Sequence, residues 1–269
     1  MKKNMKYIKE KMNQSRKQLM LLPLMLITGG VFVHAQEASQ YTDTIYVKFA
    51  SPVPATVTLE YGQKADQIGS QITWLSYEYK NDVNSPENER FSAEKAQEPG
   101  AVSFNGTMKD LVEFSVERPV VNGENQTLHM KEILDSYFTH SVETMHNIVF
   151  RAASDAWIPL TITPAPLYVS AKDTVCEYGE ERPVYDKISD FTYAGFLYED
   201  NAENVFSENK GLPTVNTTDW DKTSVAESLH NLFVQADGNA VNYEIVPVNI
   251  TNSGRVDPTS GLTSGQMRI

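Results

Sequence analysis

The sequence ITPAPLYVSAKDTVCEYG, residues 162–179, decides how the chain is divided. It opens with a Pro-Ala-Pro step between two runs of apolar and β-branched residues. Because proline fixes its own φ and lacks a backbone N–H, residues 164–166 predict a short, stiff joint between two β-rich units. The strand-type residues that follow end at Tyr178-Gly179, and glycine readily adopts the positive φ of a turn. The sequence therefore predicts two consecutive β modules.

The hydrophobic pattern on both sides of the joint predicts an all-β fold. Polar and apolar residues alternate in TDTIYVKF (residues 42–49), which is typical of a half-buried strand. Similar short runs recur along the chain and are separated by turn residues. One segment, residues 130–138, places its apolar side chains on one helical face and predicts a single short helix in the first module. We expect two tandem modules that are sandwich-like or β-grasp-like.

The N-terminus predicts export. A basic segment leads into an apolar stretch, residues 19–33, and the small residues that follow predict cleavage after Ala35, so that the mature chain begins at Gln36. The alternative is an uncleaved membrane anchor, but the apolar stretch is short and is interrupted by a proline and two glycines. We therefore interpret residues 1–35 as a signal peptide and expect a cell-surface, secreted or periplasmic protein without membrane insertion after cleavage.

The net charge and the cysteine content limit the partners and the chemistry that we expect. The 269-residue chain has a net charge of -12, and removal of the basic leader makes it more acidic. Such a charge repels nucleic acid and anionic membrane surfaces, so neither is an expected partner. The only cysteine, Cys176, excludes an intramolecular disulfide. It lies among alternating apolar residues, so we interpret it as a buried small side chain rather than a nucleophile.

An internal repeat supports two modules, at residues 41–163 and 164–251. The sequence predicts four matches in the same order: residues 45–47 with 167–169, 56–62 with 174–179, 141–148 with 224–232, and 158–163 with 246–251. The first module is the more divergent copy. Residues 252–269 are rich in serine, glycine and threonine without periodicity, and they predict a flexible tail.

The second module resembles a known family, the MBG domains of the YG-x type, which occur as tandem β modules in bacterial surface proteins. The matching segments are ITPAPL (162–167), VSAKD (169–173), EYGE (177–180), YAGF (193–196), PTV (213–215) and NYEI (242–245). The family's usual Val-Gly-x-Tyr turn is replaced at residues 225–229. The first module keeps only Tyr61-Gly62 and the closing strand of this pattern.

The resemblance implies an extracytoplasmic protein of a Bacteroidetes-like Gram-negative bacterium, with modules that serve as spacer or adhesin-like units and no enzymatic centre. In that bacterial group, O-glycans are attached to Thr or Ser between an aspartate and an apolar residue. Asp43-Thr44-Ile45 and Asp173-Thr174-Val175 fit this pattern. Thr44 and Thr174 are therefore candidate O-glycosylation sites.

The residues themselves do not indicate an enzyme. His146 and His230 fall at matched positions of the predicted repeat, just before a strand, which favours a structural role over two active sites. No phosphate-binding loop, nucleophile elbow or zinc-protease motif occurs. The acidic loops at 199–203 and 237–239 lack the spacing of a calcium loop. We therefore expect no catalytic residue, metal or cofactor.

Two functions remain open. The first is an exported, non-catalytic spacer or adhesin-like segment that contacts glycans or proteins of a host or bacterial surface. The second is a glycan-binding accessory module that uses exposed aromatic rings. Trp220 is the candidate for such stacking, because it lies in a polar loop where a core role is less natural. Exposed coplanar aromatic rings would favour the second function.

Overall fold

Two sets of short strands, joined end to end, form the part of the chain that the structure describes. The structure is a computed structural model, and it describes residues 40–51, 53–68, 71, 75–132, 135–144, 146–217, 220, 226–249 and 255–269. The prediction of an all-β fold is confirmed, because the described residues form several sheets and few helices. Residues Ser39–Ile269 form one compact unit.

The strands fall into a first and a second repeat. The described strands of the first repeat are β1 (Thr42–Phe49), β2 (Val57–Glu60), β3 (Leu75–Lys80), β4 (Val102–Phe104), β5 (Val112–Phe114), β6 (Thr127–Met130), β7 (Phe138–His140), β8 (Asn147–Ala152) and β9 (Trp157–Thr163). Those of the second repeat are β10 (Ala165–Ala171), β11 (Thr174–Val175), β12 (Phe191–Ala194), β13 (Val215–Asn216), β14 (Leu229–Asn231), β15 (Phe233–Val234), β16 (Tyr243–Pro247) and β17 (Gln266–Arg268).

Helical segments are short. Two four-residue α-helices occur in the described part, α1 (Met108–Leu111) and α2 (Ala202–Val205). Single 3-10 turns lie at Ala65–Gln67, Glu87–Glu89, Ala93–Gln97, Asp135–Tyr137, Ile188–Asp190 and Ser207–Asn209. None of the described helices is long and apolar enough to cross a membrane.

Alternating side chains build the hydrophobic core. In β9 every second residue is buried, namely Ile158, Leu160 and Ile162, while the residues between them face outward. β1 shows the same alternation, although one of its inward positions is Asp43. Successive side chains of a strand point to opposite faces of a sheet, so this period of two directs one face inward. The buried residues of both repeats join in one hydrophobic cluster.

The two repeats have the same strand pairing. β1 is antiparallel to β3 and parallel to β8, and β10 is antiparallel to β12 and parallel to β16 in the same way. β2 is parallel to β9, which pairs antiparallel with β6; β11, β17 and β14 repeat this arrangement. The antiparallel pair β4 and β7 corresponds to β13 and β15. Only β5 lacks a counterpart among the described residues. The described residues therefore contain two copies of one strand arrangement.

This pairing corrects two of the four sequence matches and the predicted tail. β9 corresponds to β17, not to residues 246–251, because both are the strand that pairs parallel to the second strand of the repeat. Residues 252–269 were predicted as a flexible tail, but β17 lies between β11 and β14 and Met267 is completely buried. The tail prediction is wrong for the described residues 255–269, which complete the second repeat.

The match between residues 141–148 and 224–232 is also wrong. His146 directly precedes β8, whereas His230 lies inside β14, which corresponds to β6. The two histidines therefore do not occupy equivalent places. Both side chains are nevertheless buried within the fold.

The helix predicted at residues 130–138 does not form in the described residues of that segment. Met130 ends β6, residues 135–137 form a single 3-10 turn, and Phe138 begins β7, which pairs with β4. Phe138 stacks on Phe150 with ring centroids 5.0 Å apart, so its side chain is placed by strand packing. Tertiary packing overrides the local helical spacing here.

Candidate functional site

A polar site lies at the boundary between the repeats. β9 ends at Thr163 and β10 begins at Ala165, so Pro164 alone separates the two strands. Pro166 lies inside β10, opposite Glu244 of β16. The chain therefore passes from one repeat to the next without a loop.

Asp200 is the centre of this boundary. It ends a turn after β12, in which its backbone N–H donates to the Leu197 carbonyl at 3.1 Å. Its side chain is 7% exposed. The hydroxyls of Tyr61 and Tyr243 donate to Oδ2 at 2.8 and 2.7 Å, and the guanidinium of Arg118 donates to Oδ1. A carboxylate that is largely buried thus obtains partners from both repeats, as a buried charge requires.

Arg118 contacts two aromatic rings as well as the carboxylate of Asp200. Its guanidinium lies 5.3 Å from the ring centroid of Tyr61 and 4.9 Å from that of Tyr198, distances typical of cation–π contacts. The hydrogen bond to Asp200 raises the pKa of Arg118 above its usual value. Burial is the main reason that the pKa of Tyr243 is raised, so its hydroxyl remains a donor to Asp200 at neutral pH.

Two further contacts reinforce the boundary. The backbone N–H of Val121, in the first repeat, donates to Oδ1 of Asn242 at 3.1 Å. Leu197 packs directly over Gly62, which has a φ of +88°, and a Cβ at Gly62 would lie 2.5 Å from Leu197 Cδ1. Glycine is the residue that tolerates both the positive φ and the close approach. These contacts fix the two repeats against each other.

A second polar cluster lies inside the first repeat, around the fully buried Asp43. Asp43 accepts a hydrogen bond from the backbone N–H of Asp82 at 2.8 Å and another from the Tyr79 hydroxyl. Nδ1 of His146 lies 2.9 Å from Oδ2 of Asp43, and Nε2 lies 3.5 Å from a carboxylate oxygen of Glu89. The pKa of Tyr79 is raised, chiefly by burial, so its hydroxyl stays protonated and donates to Asp43. The cluster connects β1, β3 and the loop that follows β3.

The predicted glycosylation sites lie in strands. Thr44 is half-buried in β1, between Lys80 of β3 and Val149 of β8. Thr174 is half-buried in β11, and the preceding Asp173 accepts hydrogen bonds from Arg255 at 2.5 Å and from the backbone of Gln266 at 2.8 Å. Both motifs are thus part of the folded sheets, and the modification itself stays a prediction. The predicted cleavage site at Ala35 and Gln36 lies outside the described residues.

Trp220 is half-buried and packs against the hydrophobic core. Its neighbours at 218–219 and 221–225 lie outside the described residues, so its role in ligand stacking stays a prediction. Cys176 is buried as predicted, and burial raises the pKa of its thiol. Within the described ranges, no group of three or more His, Cys, Asp or Glu side chains could hold a metal ion.

Other aromatic side chains are more exposed than Trp220, and the sequence analysis did not select them. They are Trp157, Tyr178 and Tyr198, which are 51%, 66% and 51% exposed. Tyr198 lines a cleft of about 370 Å³ together with residues of the first repeat, which include Phe114 and the side chains Lys64, Lys109 and Lys131. The Tyr-Gly pairs of the two repeats were the one sequence signal that pointed to this region.

The comparisons with known proteins add nothing to this geometry. No family model matches the chain, and no curated protein and no solved structure matches it either.

Proposed function

We propose that this chain is an exported, non-catalytic cell-surface or secreted protein whose β modules act as a structural spacer or adhesin-like segment. The observation that carries the proposal is the boundary around Asp200. A spacer must keep its two ends at a fixed distance, and a flexible linker between its modules would not maintain that distance. Here a single proline and the ion pair of Arg118 with the largely buried carboxylate of Asp200 replace the linker. The basic and apolar leader and the resemblance to MBG modules support export.

The spacer proposal is tested by the distance between the repeats. Spin labels at the exposed positions Asn88 and Lys187, introduced as cysteines in a Cys176→Ala background, report the distribution of distances between the first and second repeats. We expect one narrow distribution, which broadens in Asp200→Ala. A broad distribution in the parent protein would refute a stiff spacer. Sequencing the N-terminus of exported material tests the leader separately, and we expect it to begin at Gln36.

Glycan binding is the second candidate, and the cleft at the boundary favours it. The cleft is large enough for a small ligand and combines aromatic rings with charged side chains, which suits the apolar faces and the hydroxyls of a sugar. Arg118 and Tyr61 hold the Tyr198 ring in place. A screen against a glycan and mucin panel should therefore include Tyr198→Ala beside Trp220→Ala. Saturable binding that only Tyr198→Ala abolishes would place the glycan site at the boundary.

A further inference from the structure

The sheet β2-β9-β6-β5 of the first repeat has one face in the hydrophobic core and one face toward solvent. In β2 and β9 every second residue is exposed, and the residues between them are buried. Four threonines lie on the outer face, Thr58, Thr127, Thr161 and Thr163. Trp157 is the only large apolar side chain that these four described strands place there, and it is 51% exposed. The outer face is therefore a polar surface with one large aromatic ring.

Strand register places three side chains of the outer face in one row. His129 of β6 pairs with Trp157 of β9 on one side and with Glu113 of β5 on the other. Nε2 of His129 lies 3.1 Å from a carboxylate oxygen of Glu113. Neighbouring strands lie about 4.8 Å apart, so the row spans about 10 Å from the backbone of β9 to that of β5. It presents an aromatic ring beside two hydrogen-bonding groups.

The fold of the module does not require a ring at this position. Pairing with β2 and β11 makes Leu160 and Met267 equivalent, because the partner of each lies four residues before a Tyr-Gly pair. Three residues earlier, the first repeat has Trp157 and the second repeat has Ser264. The same strand arrangement thus forms with a small polar side chain at this place. Packing of the module therefore does not account for the exposed ring.

The row leads into the cleft at the boundary between the repeats. Glu113 belongs to both, since it also lines the cleft in which Tyr198 supplies a ring. The charged side chains of the cleft balance, with three lysines and three carboxylates: Lys64, Lys109, Lys131, Asp66, Glu113 and Glu117. Such a surface offers donors and acceptors to hydroxyl groups without a net attraction for an ion. The net charge of -12 on the whole chain repels polyanions as well. A neutral ligand fits both observations.

We propose that an extended, neutral, β-linked polysaccharide binds across β9, β6 and β5, from Trp157 to the cleft beside Tyr198. The ring of Trp157 stacks on the C–H face of one sugar unit. His129 and Glu113 hydrogen-bond the hydroxyls of the adjoining part of the chain, and the cleft receives its far end. A glycan with β-1,4 links is flat and extended, as a row across a sheet requires. This inference rests on the glycan-binding candidate above and adds the length and chemical class of the glycan.

Defined oligosaccharides test the class and the length of the ligand. The probes are neutral β-1,4-linked hexasaccharides of glucose, mannose and N-acetylglucosamine, with the matching disaccharides and a hexasaccharide of galacturonic acid for comparison. Isothermal titration calorimetry on the purified protein measures each affinity. We expect saturable binding of at least one neutral hexasaccharide, about tenfold weaker binding of its disaccharide, and no binding of the acidic hexasaccharide. Equal affinity for the hexasaccharide and the disaccharide would overturn the extended site, and so would failure of all three neutral hexasaccharides to bind.

Variants locate the binding. Trp157→Ala should weaken hexasaccharide binding about tenfold and leave disaccharide binding unchanged, whereas Trp157→Phe should retain part of the affinity. Tyr198→Ala should weaken the binding of both. The matched control is Tyr178→Ala, which removes a ring of the second repeat that is 66% exposed and should change neither. Thermal unfolding confirms that each variant keeps its fold.

The outcomes separate this inference from the glycan-binding candidate on which it rests. If Trp157→Ala binds the hexasaccharide as tightly as the parent while Tyr198→Ala does not, the extended site is overturned and glycan binding in the cleft stands. A hit on the glycan and mucin panel that is restricted to acidic glycans overturns the neutral class alone. No binding to any glycan of the panel refutes the candidate and the inference together.

Discussion

The guanidinium of Arg118 and the carboxylate of Asp200 form an ion pair that joins two copies of one β module, 82 residues apart in the chain. The side chain of Asp200 is almost inaccessible, and the hydroxyls of Tyr61 and Tyr243 complete its hydrogen bonding. Exposed ion pairs contribute little to stability because water screens them and the side chains lose entropy. This pair differs because removal of Asp200 takes away the charged partner of Arg118 and the acceptor of both tyrosine hydroxyls at once.

We therefore expect Asp200→Ala to lower the free energy of unfolding by about 2–4 kcal/mol. The matched control is Glu78→Ala, which breaks the exposed ion pair with Lys48, 2.6 Å long, and should cost less than about 1 kcal/mol. Urea unfolding followed by tyrosine and tryptophan fluorescence measures both variants. Equal effects of the two substitutions would mean that the Arg118–Asp200 pair contributes no more to stability than an exposed ion pair.

The second prediction concerns the C-terminal strand. Met267 is completely buried between β11 and β14, so Met267→Ala leaves a cavity in the second repeat. We expect a loss of about 2–5 kcal/mol, the usual cost of truncating a buried methionine. Val256→Ala is the control, since Val256 is 56% exposed and its truncation should change stability by less than about 0.5 kcal/mol. A stability of Met267→Ala equal to that of the parent would place residues 266–268 outside the core.

The third prediction concerns the loss of stability at acidic pH. Four aspartates accept hydrogen bonds from nearby hydroxyl or backbone groups, and these bonds are the main reason that their pKa values are lowered: Asp82, Asp110, Asp237 and Asp257. A carboxylate with a lowered folded pKa stabilises the fold fully above its unfolded pKa, which is about 3.9. That stabilisation is lost as the pH falls through the folded pKa. We expect the urea midpoint to decrease steeply below about pH 4.

Substitutions test whether these aspartates, rather than other surface carboxylates, cause the loss of stability at low pH. Asp110→Asn should flatten the decrease, because the carboxylate that accepts from Thr107 no longer titrates. Glu124→Gln, at an exposed position, is the control and should leave the shape of the profile unchanged. Identical profiles for all three proteins would show that the lowered pKa of Asp110 does not contribute to acid stability.

How far the sequence predicts this structure depends on strand length. β1 and β9 are eight and seven residues long, enough for a period of two to show, and both are visible as alternating runs. β14 and β17 have three residues each, too few for any period, and their place depends on pairing with distant strands. The tail was misjudged for this reason. A serine- and glycine-rich composition does not exclude a short strand that buries one methionine.

The polar site at the boundary could likewise be predicted only in part. The Tyr-Gly pairs were recognised as a repeated motif, but their roles differ because only Tyr61 has a module on it. Arg118 and Asp200 lie in segments without periodicity, and nothing local pairs them. The sequence could therefore indicate where a special turn occurs. What the turn contacts is a property of the tertiary fold.

The two equivalent glycines give the sharpest test of the boundary. Gly62→Ala and Gly179→Ala each force alanine into a left-handed backbone, which costs about 1–2 kcal/mol. Only at Gly62 would the added methyl group also meet Leu197, so the second repeat must shift or Leu197 must leave its position. We expect Gly62→Ala to be the more destabilising by about 1–2 kcal/mol. It should also broaden the distance distribution between labels at Asn88 and Lys187, while Gly179→Ala should leave that distribution narrow. If both alanine variants lose the same stability and keep the same distribution, Leu197 is not fixed over Gly62, and the boundary is held by the Asp200 cluster and the hydrogen bond between Val121 and Asn242.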